Sequence, residues 1–199
     1  MSVERLSVGG LKKIAIYGGT FDPVHHAHLI LARDAIETLG LDKVILVPAA
    51  ISPLKKAAPV AGGEVRLAML KAAIKGEPEF EVDECELLRP PPSYTIDTVE
   101  EVRQGHKHTA IYCLIGEDNA QTLKKWHRFD ELEKMVNFVI LDRKGQPSTS
   151  SYPVIDRKID ISATEIRMRV ASRRSIRYLV PPAVEEIIRR EKLYLEQPK

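Results

Sequence analysis

The chain of 199 residues is 44% hydrophobic and sets 30 Lys and Arg against 28 Asp and Glu, for a formal net charge of +2. That length and apolar content predict a single domain over residues 1–199, with its core at about 13–194. The near-neutral balance excludes a global pull towards nucleic acid or an acidic membrane, so any basic site must be local.

In chain order, "MSVERLSVGGLKK" lacks the apolar centre of a signal peptide, and no apolar run approaches bilayer length. This predicts a cytoplasmic protein with no membrane partner. The first strand reads from "KKIAIY", Lys12–Tyr17, and runs into "GGTFDPVHHAH", Gly18–His28. A helix follows His25 and stops at Gly40, with Leu29, Ile30, Ala32, Arg33, Ile36 and Leu39 marking its apolar stripe. Next come a strand at Lys43–Pro48 and helices at about Gly63–Lys75 and Thr95–Gln104, then a strand at Thr109–Gly116. Cys85 and Cys113 have no metal-type spacing and read as buried thiols of a reducing compartment. A helix at Phe129–Met135 and a strand at Asn137–Asp142 precede "RKGQPSTSSYP", Arg143–Pro153, whose composition predicts a mobile loop. The chain closes with a short strand ending at Ser162, a helix from Thr164 to about Ser172 and a helix at Pro182–Tyr194. Continuous apolar strands alternating with helices predict an α/β fold, a Rossmann-like doubly wound parallel sheet with helices on both faces.

The histidine turn carries the first functional signal. Ligands of open parallel sheets collect beyond the C-terminal strand ends, where helix N-termini favour anions. Gly18 and Gly19 let a ligand approach the backbone, and Asp22 and Pro23 form a turn that presents His25 and His28 on one face. A triphosphate suits such a place. A dinucleotide fingerprint fits poorly, because the second strand ends "LVPAA" without an acid. A zinc site fits poorly too, since no Cys or Glu nearby completes a set with His25, His26 and His28. The plainest alternative is that these histidines only decorate a turn.

The second signal is "IDISATEIRMRV", Ile159–Val170. Ser162 or Thr164 can cap the helix that begins there, and hydroxyls and free N–H groups with Arg167 one turn in would form a second anion site. Blandly, it is an ordinary capped helix. The basic run "RMRVASRRSIR", Arg167–Arg177, has an alternative reading as an RNA-binding face, although basic helical runs are usually solvated and the net charge offers little attraction.

Together "GGTFDPVHHAH" and "ISATEIR" resemble the nucleotidyltransferase superfamily that carries H-x-G-H and S-x-T-x-x-R elements. "SPLK", "PPSYTIDTV", "LIGEDNAQTLKKWHRFDEL" and "YLVPPAVEEIIRREKLY" are similar to the bacterial nicotinate-nucleotide adenylyltransferase family, so the likeness runs from about Lys13 to Tyr194. Two positions depart from its pattern: Ala27 stands where Gly is usual, its methyl narrowing the space for a nucleotide, and Leu54 stands where a histidine is usual between Pro53 and Lys55.

The resemblance implies transfer of the adenylyl group of ATP to nicotinate mononucleotide, with Mg²⁺ bridging phosphates and no metal held mainly by protein. His25, His28, Lys55 and Arg167 would be the catalytic residues. Gly18, Gly19, Thr20, Phe21, Gly116, Asp118, Ile161, Ser162 and Thr164 would bind ATP, and Tyr94, Thr95 and Trp126 the mononucleotide. Related adenylyltransferases acting on phosphopantetheine, and cytidylyltransferases, are the runners-up, against which "SYTIDTV" and the Trp126 segment argue. No nucleic-acid partner is implied, and a monomer and a homo-oligomer stay equally open.

Overall fold

A computed structural model describes residues 11–51, 58–143, 145 and 150–196. Six parallel strands form one sheet: β1 (Lys12–Gly19), β2 (Lys43–Pro48), β3 (Phe80–Val82), β4 (Thr109–Gly116), β5 (Asn137–Asp142) and β6 (Val154–Asp156). Their spatial order is β3-β2-β1-β4-β5-β6. The chain winds outward from β1 in one direction and, after returning to β4, in the other. The order reverses between β1 and β4, the place where the carboxyl ends of neighbouring strands open a crevice.

The apolar strands are continuous because both faces are covered. In β1, Ala15 and Tyr17 point into a core shared with helices α1 (His26–Leu39), α2 (Gly63–Ala73), α7 (Ala163–Ala171) and α8 (Pro182–Arg190). Ile14 and Ile16 point the other way, into a core shared with α3 (Cys85–Leu88), α4 (Thr95–Gly105) and α6 (Phe129–Met135). A short helix α5 (Glu117–Ala120) follows β4 directly. Successive residues of one strand thus stabilise different cores, as the period of two requires.

Several expectations need correction. The buried stripe of α1 is Ala27, Leu31, Ala32, Ala35 and Ile36, whereas Leu29, Ile30 and Leu39 are only half-buried. Small residues at 27, 32 and 35 let the helix lie close on the sheet, which pushes the larger side chains to the edges of the contact. No strand ends at Ser162; the edge strand lies six residues earlier and pairs Val154, Ile155 and Asp156 with Ile140, Leu141 and Asp142. Only Ile155 of it is buried, and the chain then leaves the ladder through Arg157 and Ile159, whose N–H groups still bond the carbonyls of Asp142 and Arg143. In the segment expected to be a mobile loop, residues 144 and 146–149 lie outside the described residues. Its end is anchored: Tyr152 donates to Glu133 at 2.6 Å and packs edge-on to Phe138, while the Pro153 carbonyl accepts from Ile140 N–H.

The last helix stops at Arg190, not Tyr194. Lys192 and Tyr194 take left-handed backbone angles, with φ of 50° and 59°. These turns fold the tail inward, so that Tyr194 is 4% exposed and its hydroxyl reaches the turn after β1. Both cysteines are buried, and burial pushes each thiol up to about 12, leaving them inert apolar fillers. No helix among the described residues is long and apolar enough to cross a membrane.

Candidate functional site

The C-terminal ends of β1, β4 and β5 and the N-terminus of α7 converge on one crevice. Gly18 and Gly19 end β1. A side chain at Gly18 would project into open space, which keeps the backbone approachable, whereas one at Gly19 would strike the Phe21 ring at 2.9 Å. Phe21 itself is left-handed, with φ of 49°, and 2% exposed. Its ring meets Tyr17 edge-on at 5.6 Å and His28 at 5.0 Å. The turn is therefore built around a buried aromatic ring and is no surface decoration.

His25 caps α1 and stacks on His28, ring centres 3.7 Å apart. The His25 backbone N–H donates to His28 Nδ1 at 3.3 Å. A ring nitrogen that accepts carries no proton, so neutral His28 holds its hydrogen on Nε2. His25 is 1% exposed, and desolvation first, then the Arg143 and His26 charges, lower its pKa to about 3. It is neutral at physiological pH and can act only as a hydrogen-bonding group.

That depression has a measurable consequence for stability. The folded pKa lies below the unfolded value of about 6.5, so the unfolded chain binds a proton that the native chain does not between those limits. The contribution is fully present above about pH 6.5 and is lost as pH falls towards 3, with a slope of about 1.4 kcal/mol per pH unit. Between pH 7 and 5, His25→Asn should therefore lose about 2 kcal/mol less stability than the unsubstituted protein. Denaturant melts at both pH values check this; parallel losses would show that His25 titrates normally.

Asp22 holds the turn from below. Its carboxylate is 5% exposed and accepts from Val60 N–H at 2.7 Å, Ala61 N–H at 3.2 Å and the Tyr194 hydroxyl at 2.6 Å. Its carbonyl accepts from Arg167 Nη1 at 2.7 Å. Beside it Arg66, 2% exposed, donates to the carbonyls of Thr20, Ala49 and Ala61 at 2.7, 2.8 and 3.1 Å. Arg66 belongs to no motif, yet its place on the buried stripe of α2 with Met69 and Leu70 is a signal in the sequence: a cation on an apolar face needs partners.

At α7, Ser162 is the cap, accepting from Glu165 N–H at 3.1 Å. Arg167 Nη2 also donates to Thr164 Oγ1 at 3.3 Å. The carbonyl of Ile161 accepts from Arg143 Nη1 at 3.0 Å, and Arg143 Nη2 stands 3.6 Å from Asp118, just past Gly116 at the end of β4. By composition Arg143 only opens the loop predicted at Arg143–Pro153. It is the first residue beyond β5, on the rim where ligands of such sheets gather, and that position was the available signal. In the basic run, Arg169 donates to Ser175 and lies 3.6 Å from Glu165, and Arg177 covers the Tyr178 ring at 5.2 Å, so these charges turn back onto the chain.

Tyr94 caps α4 with no side-chain bond to the helix, and Thr95 begins it. Tyr94 stacks on His127 at 4.3 Å. Trp126 is half-buried and meets Phe138 edge-on at 6.3 Å. Ala27 has no exposed surface, so its methyl packs inside the protein and does not narrow the open cleft. Lys55, with Pro53 and Leu54, lies outside the described residues.

Among the described residues, three buried side-chain polar atoms have no partner: His25 Nδ1, Trp126 Nε1 and Arg167 Nε. Native proteins satisfy nearly all such atoms, and an exception points to strain, a catalytic role or a partner such as a water or ion that completes the bond. By contrast, in a groove of about 510 Å³ along α1 and the end of α2 the charges that line it pair locally, Arg33 with Glu77 and Arg157 with Asp34.

Comparison with known proteins places this geometry in context. A cytidylyltransferase-like family model matches residues 16–169. A probable nicotinate-nucleotide adenylyltransferase of Shouchella clausii is 40% identical, the match covering 92% of this chain and 97% of that protein. One of Geobacillus thermodenitrificans is 41% identical over 92% of this chain and 86% of its own. The fold is shared with Plasmodium falciparum nicotinic acid mononucleotide adenylyltransferase complexed with NaAD, at a TM-score of 0.76 and 21% identity, covering 92% of this chain and 97% of that one.

Proposed function

The chain belongs to the nicotinate-nucleotide adenylyltransferase family, and from that premise we propose that it transfers the adenylyl group of ATP to nicotinate mononucleotide, as a cytoplasmic step of NAD biosynthesis. A phosphate oxygen of the mononucleotide attacks the α-phosphorus in line. The bond from that phosphorus to the bridging oxygen breaks, leaving deamido-NAD and pyrophosphate. The single observation that carries the reading is the set of unpartnered buried atoms on His25, Trp126 and Arg167. All three are residues that the motifs had selected on other grounds.

The nucleophile is already an anion, so positioning and charge neutralisation carry the reaction, with no general base required. In this reading His28 donates from Nε2 to the transferred phosphate, where charge develops. His25 offers a neutral imidazole, and Lys55, Arg143 and Arg167 supply positive charge. The backbone at Gly18, Gly19, Thr20 and Phe21 and the α7 start at Ile161, Ser162 and Thr164 receive the triphosphate, while Gly116 and Asp118 face the ribose. Mg²⁺ arrives with ATP as part of the substrate, carried on phosphate oxygens. Trp126 gives the pyridine ring a flat partner.

Discrimination at the acceptor follows from α4. Its first turn has no side-chain cap, so its N–H groups suit a carboxylate, which only accepts, and oppose the NH₂ of a carboxamide. A buried donor left unpaired costs about 1–3 kcal/mol, which predicts a preference of roughly ten to more than a hundredfold for the nicotinate form. The test is pyrophosphate release from Mg·ATP with nicotinate mononucleotide, nicotinamide mononucleotide and phosphopantetheine in parallel. Equal or better kcat/KM with either competitor overturns the assignment.

A further inference from the structure

Glu86 lies in α3, outside every motif singled out above, and is 6% exposed. A buried acid needs donors. Its Oε1 stands 2.7 Å from Thr98 Oγ1, and Thr98 Oγ1 stands 2.6 Å from Arg89 Nη2. A guanidinium can only donate, so the Thr98 oxygen accepts from Arg89 and turns its own proton to Glu86. Arg89 is held in turn by Glu101 at 3.1 Å.

A second path reaches the same carboxylate. The Ser93 hydroxyl acts on the Glu86 carboxyl, opposing the burial that raises its pKa, and its oxygen accepts from Ala50 N–H at 3.1 Å. Ser93 N–H donates to the Ile51 carbonyl, also at 3.1 Å. Glu86 therefore terminates a donor chain from the first turns of α4, beside a Ser93 side chain that is itself tied to the turn after β2. Ser93 immediately precedes Tyr94 and Thr95, so the start of α4 takes its place from this junction.

We propose that Glu86 is a positioning residue for the acceptor side of the site: by holding Ser93 and Thr98 together it sets the Tyr94–Thr95 helix start against the 50–51 turn. It touches no substrate. The proposal rests on the functional reading only in taking that helix start as the place of the acceptor.

Glu86→Gln keeps the shape but removes the charge and replaces one acceptor oxygen by an NH₂, which weakens the hold on Thr98 and Ser93. The expected result is a KM for nicotinate mononucleotide raised about tenfold or more, with the KM for ATP and kcat changed by less than about threefold. Ser93→Ala removes the Ser93 hydroxyl and leaves the Arg89–Thr98–Glu86 chain in place; it should raise the acceptor KM several-fold and keeps the test open should Glu86→Gln not fold. A merely structural acid would lower the melting temperature and harm both substrates alike. Equal shifts in both KM values, or an unchanged acceptor KM in both variants, overturn the proposal. The functional reading is judged separately, from which acceptor the unsubstituted protein uses. The variant-to-parent ratio is taken with that acceptor, and if none turns over, calorimetric titration of nicotinate mononucleotide supplies the same ratio, with equal affinities counting against Glu86.

Discussion

Replacing His28 by Ala is expected to lower turnover at saturating ATP by roughly a hundredfold or more, with a much smaller change in the KM for the mononucleotide. The expectation rests on where the ring's proton sits. Nδ1 accepts the His25 backbone N–H, so Nε2 is the donor, and the stacked His25 ring and the Phe21 edge hold the imidazole in one orientation. A donor fixed before the reaction costs no reorganisation when charge grows on the phosphate. Losing one such donor typically costs about 2.7–4 kcal/mol of transition-state stabilisation. Initial rates across both substrates, with a melting curve for each variant, check the claim. Turnover unchanged at saturating ATP removes His28 from the chemistry.

Asp22→Ala should act first on stability. The substitution leaves the Tyr194 hydroxyl and the N–H groups of Val60 and Ala61 without their acceptor, while Arg66 keeps its three carbonyl partners. A buried donor left without its acceptor costs about 1–3 kcal/mol, so three of them together come to roughly 3–5 kcal/mol once partial relaxation is allowed for. For a chain of this size that is a fall in Tm of roughly 6–20 °C. The Arg167 bond goes to the Asp22 carbonyl, which the substitution retains, so activity in the remaining folded protein should fall less than in the His28 variant. Asp22→Asn keeps one acceptor oxygen and should lose about half as much stability. A Tm within about 2 °C of the parent for Asp22→Ala would show that water replaces the carboxylate at little cost, and that the tail does not depend on it.

Much of the frame was legible because its signal is local. Four strands, β1, β2, β4 and β5, announce themselves as apolar runs of six to eight residues bounded by turn residues, and α6 was read to the residue. The histidine turn and the α7 cap were legible for the same reason, since the residues that act together are neighbours in the chain.

The edge strands β3 and β6 were not. Each has three residues, too few for a periodic pattern, and exists only because a longer strand lies alongside. The polar framework was equally hidden. Arg66 is satisfied by carbonyls 5, 17 and 46 positions away, and Asp22 by a hydroxyl 172 positions away. Nothing near Arg143 or Glu86 in the sequence says that the one reaches Asp118 and Ile161 or that the other joins Thr98 to Ser93. By itself, then, the sequence determined the alternation of strand and helix, the family and the residues of the two turns proposed to receive phosphate. The tertiary structure alone decided which polar side chains are buried and what they hold, because a buried hydrogen bond is worth having only where folding has already brought its partner and excluded water.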